Sequence, residues 1–136
     1  MEDALMSDKI SGRCACGSVE YTTNLEPEFT LICQCRQCQR ISGSGHAAQF
    51  AVPADATRVE GEVKFFDQIA DSGHTVSSGF CPKCGSPMFK KTTKMPEIYF
   101  FHAATMDDPS IFKPQIVVYE ESKQPWDHID PNIPRN

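Results

Sequence analysis

Three cysteines lie within six residues of this chain, at Cys33, Cys35 and Cys38. Thiolates at this spacing can surround one metal ion from three sides, because zinc is held tetrahedrally by sulfur and nitrogen donors. A structural zinc site is usually closed by four protein ligands, whereas a catalytic site keeps one position open. The triad therefore predicts a zinc site at which an incoming thiol would bind and lose its proton.

The alternative for the triad is a second structural zinc that a histidine closes. His46 and His102 are the leading candidates for that fourth ligand, ahead of His74 and His128. A zinc deaminase is excluded, because that class carries an H-x-E pattern and a proline directly before its C-x-x-C pair. Here Pro82 lies inside the pair, and no histidine is followed by such a glutamate.

The other four cysteines form two pairs, Cys14 with Cys16 and Cys81 with Cys84, and a glycine follows each pair. Clustered cysteines in a reducing compartment indicate metal binding rather than disulfides. The pairs predict a structural zinc that ties the N-terminal strand to the middle of the sheet, and with the triad they predict two zinc ions per chain. A redox dithiol at the second pair is the alternative, but no thioredoxin-like βαβ pattern surrounds it.

Composition and charge limit the classes of partner that this 136-residue chain can bind. A formal net charge of −5 argues against nucleic-acid binding, which depends on clustered lysine and arginine. The densest basic stretch, residues 90–94, is interpreted as a solvated hairpin end. No apolar run approaches the roughly 18–20 residues that span a bilayer, and residues 1–9 lack the blocks of a signal peptide. We expect a cytoplasmic protein without a membrane partner.

Short strands must position these cysteines. Alternating β-formers bounded by turn residues predict strands, and a helix of one or two turns is expected over 35–41, ended by the small residues 42–45. Residues 58–60 and 62–69 are predicted to form a hairpin joined at Gly61, and 98–103 a central strand. The other predicted strands cover 19–23, 29–32, 46–52, 75–80 and 116–119.

The pattern of many short strands predicts a mainly β fold. One domain is expected over 9–127, with a loose arm over 1–8 and a loose tail over 128–136.

The cysteine motifs resemble those of the glutathione-dependent formaldehyde-activating family, which also includes a centromere-associated protein. The resemblance covers about residues 9–127 and is specific, because three ordered motifs carry it. They are Cys14-Ala15-Cys16-Gly17, then Cys33-Gln34-Cys35-Arg36-Gln37-Cys38 with Ser42-Gly43-Ser44, then Phe80-Cys81-Pro82-Lys83-Cys84-Gly85-Ser86, followed by Pro125-Trp126.

The resemblance implies a zinc-binding β-tent fold and a carbon–sulfur lyase that reversibly joins formaldehyde and glutathione as S-hydroxymethylglutathione. It implies a structural zinc at the two cysteine pairs and a catalytic zinc at the triad. Many members carry histidine where this chain has Gln34. Arg36 and Arg40 could attract a substrate carboxylate, although exposed arginines are more often only solvated.

A second function also fits the sequence, namely a non-catalytic zinc module that docks a protein partner. The two functions differ in the fourth zinc position. An open position binds an added thiol, whereas a closed one does not.

Overall fold

The computed structural model describes residues 9–24 and 26–136, so the arm predicted over 1–8 lies outside the described residues. Strands dominate the described part, which confirms the mainly β fold. The elements are β1 (Lys9–Arg13), β2 (Glu20–Asn24), β3 (Phe29–Cys33), α1 (Arg36–Ser42), β4 (Ala47–Pro53), β5 (Arg58–Glu60), β6 (Lys64–Ile69), β7 (Thr75–Phe80), β8 (Pro87–Thr92), β9 (Ile98–His102) and β10 (Val117–Val118). Single 3-10 turns occur at Ala54–Ala56, Ala103–Thr105, Pro109–Ile111 and Glu120–Ser122.

The strands form two sheets. The smaller is antiparallel with the order β1-β2-β5, and the larger has the order β10-β3-β4-β9-β8-β7-β6. Neighbours in the larger sheet are antiparallel except for β10 and β3. Strand β9 is fourth of seven, and four of its five residues are buried. The prediction of a central strand over 98–103 is therefore confirmed.

An aromatic core joins the two sheets. Tyr21 of β2 stacks on Phe101 of β9, with ring centroids 4.0 Å apart. Phe50 and Phe89 pack against the same Phe101 ring from β4 and β8, at 5.7 Å and 4.8 Å. Such aromatic pairs contribute about 0.5–1.5 kcal/mol each beyond the area that they bury. This core fixes the small sheet relative to the central strands of the large one.

The hairpin predicted for 58–60 and 62–69 is wrong. Strand β5 pairs with β2 in the small sheet, whereas β6 pairs with β7 in the large sheet. Gly61 lies between them at φ 101°, and a Cβ there would approach the Ser18 carbonyl oxygen to 2.0 Å. Only glycine allows that close contact together with a positive φ, so the chain leaves one sheet at this residue and enters the other.

The C-terminal residues lie against β10 rather than forming the loose tail predicted over 128–136. The Val117 N–H donates to the Pro134 carbonyl at 2.8 Å, and the Asn136 N–H donates to the Val117 carbonyl at 3.1 Å. Arg135 adds an ion pair to Glu120 at 2.8 Å. These hydrogen bonds and the ion pair hold the C-terminal segment in place beside β10.

None of the helices in the described part of the chain has the length and hydropathy needed to span a bilayer.

Candidate metal centres and the adjoining cavity

The first cysteine cluster joins the two sheets. Cys14 and Cys16 lie in the loop between β1 and β2, and Cys81 and Cys84 lie between β7 and β8. The Sγ atoms of Cys14 and Cys16 are 3.7 Å apart, and those of Cys16 and Cys81 are 3.8 Å apart. A tetrahedral zinc with Zn–S bonds of about 2.3 Å separates its sulfurs by about 3.8 Å. The structure thus brings together, at the spacing of one metal ion, Cys14, Cys16, Cys81 and Cys84.

Two serines that the sequence analysis missed support this cluster. The Ser18 Oγ lies 3.0 Å from the Cys16 Sγ and 3.2 Å from the Cys81 Sγ. The hydroxyl of Ser86, followed by its backbone N–H, lowers the pKa of Cys84 to about 5. Both serines stand within two residues of a cysteine, but that position alone does not reveal a hydroxyl turned toward sulfur. They favour the thiolate form, which is the form that binds a metal.

The second cluster is built by the end of β3 and the start of α1. Cys33 ends the strand, and Cys35 is the N-cap of the helix. The Sγ of Cys35 accepts a hydrogen bond from the Cys38 N–H at 3.3 Å. Gly43 ends the helix in the left-handed conformation at φ 70°, which glycine adopts without strain. The three sulfurs lie within 4.8 Å of one another, as the sequence predicts.

The triad cannot carry three negative charges without a cation. Hydrogen bonds from the Cys33 thiol and then from the Cys38 thiol lower the pKa of Cys35. The Cys35 side chain raises the pKa of Cys33, and the Cys33 side chain raises that of Cys38. Because like charges at this distance disfavour each other, one thiolate forms at the expense of the other two. A bound cation removes that conflict, so the donor set fits a soft metal ion.

Lys90 is a residue at this site that sequence reasoning missed. The sequence predicts a solvated hairpin end over 90–94, but the Lys90 side chain on β8 is half-buried and lines a small cavity with Cys38. Its charge adds to the hydrogen bonds from the other two thiols that lower the pKa of Cys35. The sequence offers only a weak signal for this, because the side on which a strand residue points depends on register.

Among the described residues, no fourth side-chain donor joins the triad. The carboxylate, imidazole and thiol atoms that lie within 4.8 Å of one another at this site comprise the three sulfurs alone. The Nδ1 of His46 is bonded to Asp127 instead. His74 contacts Thr93 at 3.3 Å. The other leading candidate, His102, lines the small cavity beside Cys38, but its ring nitrogens do not lie within 4.8 Å of all three sulfurs.

Two cavities share walls near the triad, and the smaller of them is lined by a triad cysteine. The larger has a volume of about 590 Å³, which lies within the usual 300–1,000 Å³ range of ligand sites. The smaller has a volume of about 20 Å³ and touches Cys38 directly. Ala47 and His102 line both. The other walls of the larger cavity include Arg13, Ser42, Ser44, His46 and, from the four-sulfur cluster, Cys14.

Gln34 belongs to a hydrogen-bond network that includes His46, a residue in the wall of the larger cavity. Its side chain is 1% exposed, and its Nε2 donates to the Asp127 Oδ2 at 3.0 Å. The same carboxylate accepts the His46 Nδ1–H at 2.9 Å. Burial raises the pKa of Asp127, but these hydrogen bonds outweigh it and hold the pKa below its usual value. Asp127 was missed, although it directly follows the Pro125-Trp126 motif.

Gly45, in the run of small residues at 42–45, packs directly against Asp127. A Cβ at Gly45 would lie 2.4 Å from the Asp127 Cγ. The glycine therefore makes room for Asp127, while Ser42 and Ser44 face the larger cavity.

Arg36 and Arg40, the predicted contacts for a substrate carboxylate, line a separate surface depression beside Trp126. The guanidinium of Arg36 donates to the Gln39 side chain. The arginine at the larger cavity is Arg13, whose Nη1 also donates to the carbonyls of Cys14 and Ala15 at 3.3 Å. Neither of the two predicted arginines lines the larger cavity.

Comparison with known proteins gives a family and a fold. A family model described as "Glutathione-dependent formaldehyde-activating enzyme" matches residues 9–122. No curated protein sequence is significantly similar to the chain. A crystal structure of a Rhodobacter sphaeroides protein is similar, with a TM-score of 0.58 and 24% identity. The similarity covers 71% of this chain and 87% of that one, and at this identity it establishes the fold alone.

Proposed function

Because the chain belongs to the glutathione-dependent formaldehyde-activating family, we propose that it is a zinc-dependent carbon–sulfur lyase. The reaction is the reversible joining of formaldehyde and glutathione as S-hydroxymethylglutathione. One observation carries the proposal. The triad gathers three sulfurs without a fourth side-chain donor among the described residues, and Ala47, which packs with Cys33 and Cys38, also lines a cavity of about 590 Å³. This arrangement is typical of a site that binds a substrate rather than of a closed structural knot.

Two zinc ions would have different roles. The cluster that bridges the sheets would hold a structural ion through Cys14, Cys16, Cys81 and Cys84, and the triad would hold the catalytic one through Cys33, Cys35 and Cys38. An ion at the triad supplies a soft Lewis acid, at which a thiol ionises near neutral pH. The abundance of unpaired thiols suits the reducing cytoplasm, where we place the reaction.

The larger cavity offers groups that suit a peptide-like thiol. The Arg13 guanidinium provides a cation for a carboxylate, and the hydroxyls of Ser42 and Ser44 provide hydrogen bonds. Glutathione carries two carboxylates and two amides around its thiol. Its binding here would bring the thiol toward Ala47 and His102, at the boundary with the triad.

The smaller cavity favours a one-carbon aldehyde. Its volume of about 20 Å³ suits a group about the size of a water molecule. Gln49 lines it, is 1% exposed, and has a side-chain oxygen without a hydrogen-bond partner in the described part of the chain. That oxygen would accept an O–H from the formaldehyde hydrate or from the hydroxymethyl product. Larger aldehydes would collide with the buried walls.

Exchange spectroscopy tests the proposal. The zinc-loaded protein is added to glutathione and ¹³C-formaldehyde, and the rate of interconversion with the adduct is measured by NMR. We expect acceleration above the spontaneous rate, lost in Cys35→Ser and retained in Ser110→Ala, a change at an exposed residue. If the protein binds glutathione but leaves the rate unchanged, the lyase proposal is wrong and a non-catalytic zinc module is the better account.

A further inference from the structure

We propose that His46 is a catalytic residue that carries the proton of the substrate thiol to the oxygen of the aldehyde, and that Asp127 is its positioning residue. This role rests on the lyase function proposed above. Local sequence patterns do not indicate a general base, because His46 and Asp127 are 81 residues apart.

His46 and Gln34, the two side chains that bond to Asp127, directly flank the strand ends that carry Ala47 and Cys33. Ala47 is the register partner of Cys33 in the pairing of β4 with β3. One residue further out, His46 precedes Ala47 and Gln34 follows Cys33. Both of these side chains bond to the Asp127 carboxylate. The carboxylate is therefore held by the residue before β4 and the residue after β3, each adjacent in sequence to the paired Ala47 and Cys33.

The geometry fixes which nitrogen of His46 can act as a base. The Nδ1 lies 2.9 Å and 3.0 Å from the two oxygens of Asp127. An ionised carboxylate only accepts hydrogen bonds, so Nδ1 carries the proton and Nε2 keeps its lone pair. In the described part of the chain Nε2 has no hydrogen-bond partner, and the ring forms part of the wall of the larger cavity. The lone pair is thus available to a molecule in that cavity.

The Asp127 side chain is held in one position by its neighbours. Its side chain is 9% exposed, and Gln34 donates to it from a fully buried position. Gly45 packs so closely against it that any larger residue would displace it. An ionised carboxylate held in this way accepts the Nδ1–H of His46 and so fixes the tautomer and the orientation of the ring.

The proposed steps balance without any further reagent. The Nε2 of His46 takes the proton from the glutathione sulfur, and the sulfur lone pair forms a bond to the formaldehyde carbon. The C=O π pair moves to oxygen, which then takes the proton back from Nε2 to give the hydroxymethyl group. In the reverse direction Nε2 removes the hydroxyl proton, the C–S bond breaks, and the leaving thiolate is protonated.

His102 is the other histidine at the cavity, and it is unsuited to this role. Burial, followed by the charge of Lys90, lowers the pKa of His102 to about 4. Its imidazole would hold a proton poorly near neutral pH, and among the described residues it has no carboxylate partner to orient the ring. His46 has that partner, so the proton passes through His46.

Kinetics of zinc-loaded variants test the catalytic role. In His46→Gln we expect kcat to fall about 100-fold or more, as when a general acid–base group is lost, while the glutathione KM changes less than about threefold. Added imidazole should restore much of the rate to His46→Ala, because the cavity next to the missing ring is open. The matched control is His74→Gln, which removes a histidine outside the cavity and should retain the full rate.

The outcomes separate this role from the lyase proposal. If the wild-type protein accelerates the reaction and His46→Gln does so within about threefold, His46 is not catalytic although the lyase proposal stands. If the wild type gives no acceleration, the lyase proposal fails and the role of His46 fails with it. If His46→Gln loses its fold or its zinc, imidazole rescue of His46→Ala decides, and the absence of rescue in folded protein overturns the role.

The tautomer of His46 tests the positioning role without any activity measurement. Nitrogen-15 NMR of the zinc-loaded protein should show the Nδ1–H form at His46, and Asp127→Asn should remove that preference while lowering kcat. A wild-type ring protonated on Nε2 would overturn the inference. The His74 resonance should be unaffected by Asp127→Asn.

Discussion

Replacing Gly45 with alanine probes the contact on which the edge of the cavity depends. A Cβ at this position would lie 2.4 Å from the Asp127 Cγ and 2.6 Å from its Cβ and Oδ2. Ordinary contacts between such atoms are about 3.5–4.0 Å. Asp127 must therefore move by about 1 Å or more. That movement would lengthen its bonds to His46 and Gln34, which are now 2.9 Å and 3.0 Å.

Two terms set the expected loss of stability. Inserting a methyl group into a packed site costs about 1–3 kcal/mol, and leaving the buried Gln34 amide without its acceptor costs about 1–3 kcal/mol more. Partial relaxation will reduce the sum, so we expect the free energy of unfolding to fall by about 2–4 kcal/mol. Urea unfolding of the zinc-loaded protein measures it. Ser44→Ala changes an exposed neighbour and should stay within about 0.5 kcal/mol of wild type.

A double-mutant cycle decides whether the Asp127 side chain is responsible for this loss. In an Asp127→Gly background the side chain that the added methyl group would strike is gone, so Gly45→Ala should cost less than about 1 kcal/mol. Residues in direct contact give coupling energies of about 0.5–3 kcal/mol. An equal cost of Gly45→Ala in both backgrounds, or unchanged stability in the single variant, would refute the proposed contact.

Three further results are expected. Cys84→Ser should lower the melting temperature sharply, because its cluster joins the two sheets and structural zinc contributes on the order of 10 kcal/mol to folding. Cys35→Ser should keep most of the fold and lose activity. Equal losses of melting temperature in the two variants would mean that the structural and catalytic roles are assigned to the wrong clusters. Metal-replete protein should contain two zinc ions, of which a chelator removes one first, from the three-sulfur site; a single zinc by elemental analysis would contradict this. Burial and then the charge of Lys90 lower the pKa of His102 to about 4 in the folded protein, against an ordinary value of 6.5. The unfolded chain therefore binds more protons between these two pH values, and the free energy of unfolding should fall by about 3 kcal/mol as pH drops from about 6.5 to 4. His102→Asn should remove that part of the pH dependence.

The sequence predicts the cysteine clusters well, because cysteine spacing reports directly on metal-ligand geometry. The division into four and three is reproduced by the sulfur positions. The central strand over 98–103 is likewise predictable, since a continuous apolar run is typical of a buried strand. The helix at the triad begins and ends within one residue of the predicted range, because Cys35 caps it and Gly43 terminates it.

Strand partners and long-range contacts are not visible in the local pattern. The sequence around Gly61 looks like a hairpin, yet the close contact with Ser18 sends the flanking strands to different sheets. Lys90 resembles a surface lysine, but the register of β8 turns it toward the triad. Asp127 meets His46 only because the C-terminal segment folds back over α1, through bonds such as the one from the Gln39 Nε2 to the Ser122 carbonyl at 3.0 Å.

Thiol binding to the cobalt-substituted protein tests the central claim most directly, namely that the triad leaves one metal position open to a substrate thiol. Sulfur-to-cobalt charge-transfer bands report the ligands of the ion. We expect glutathione to change these bands and S-methylglutathione, which lacks a free thiol, to change them much less. Cys35→Ser should lose the response, and the four-sulfur cluster should not contribute to it. If neither glutathione nor any other small thiol alters the spectrum, the triad is a closed site and the claim is wrong.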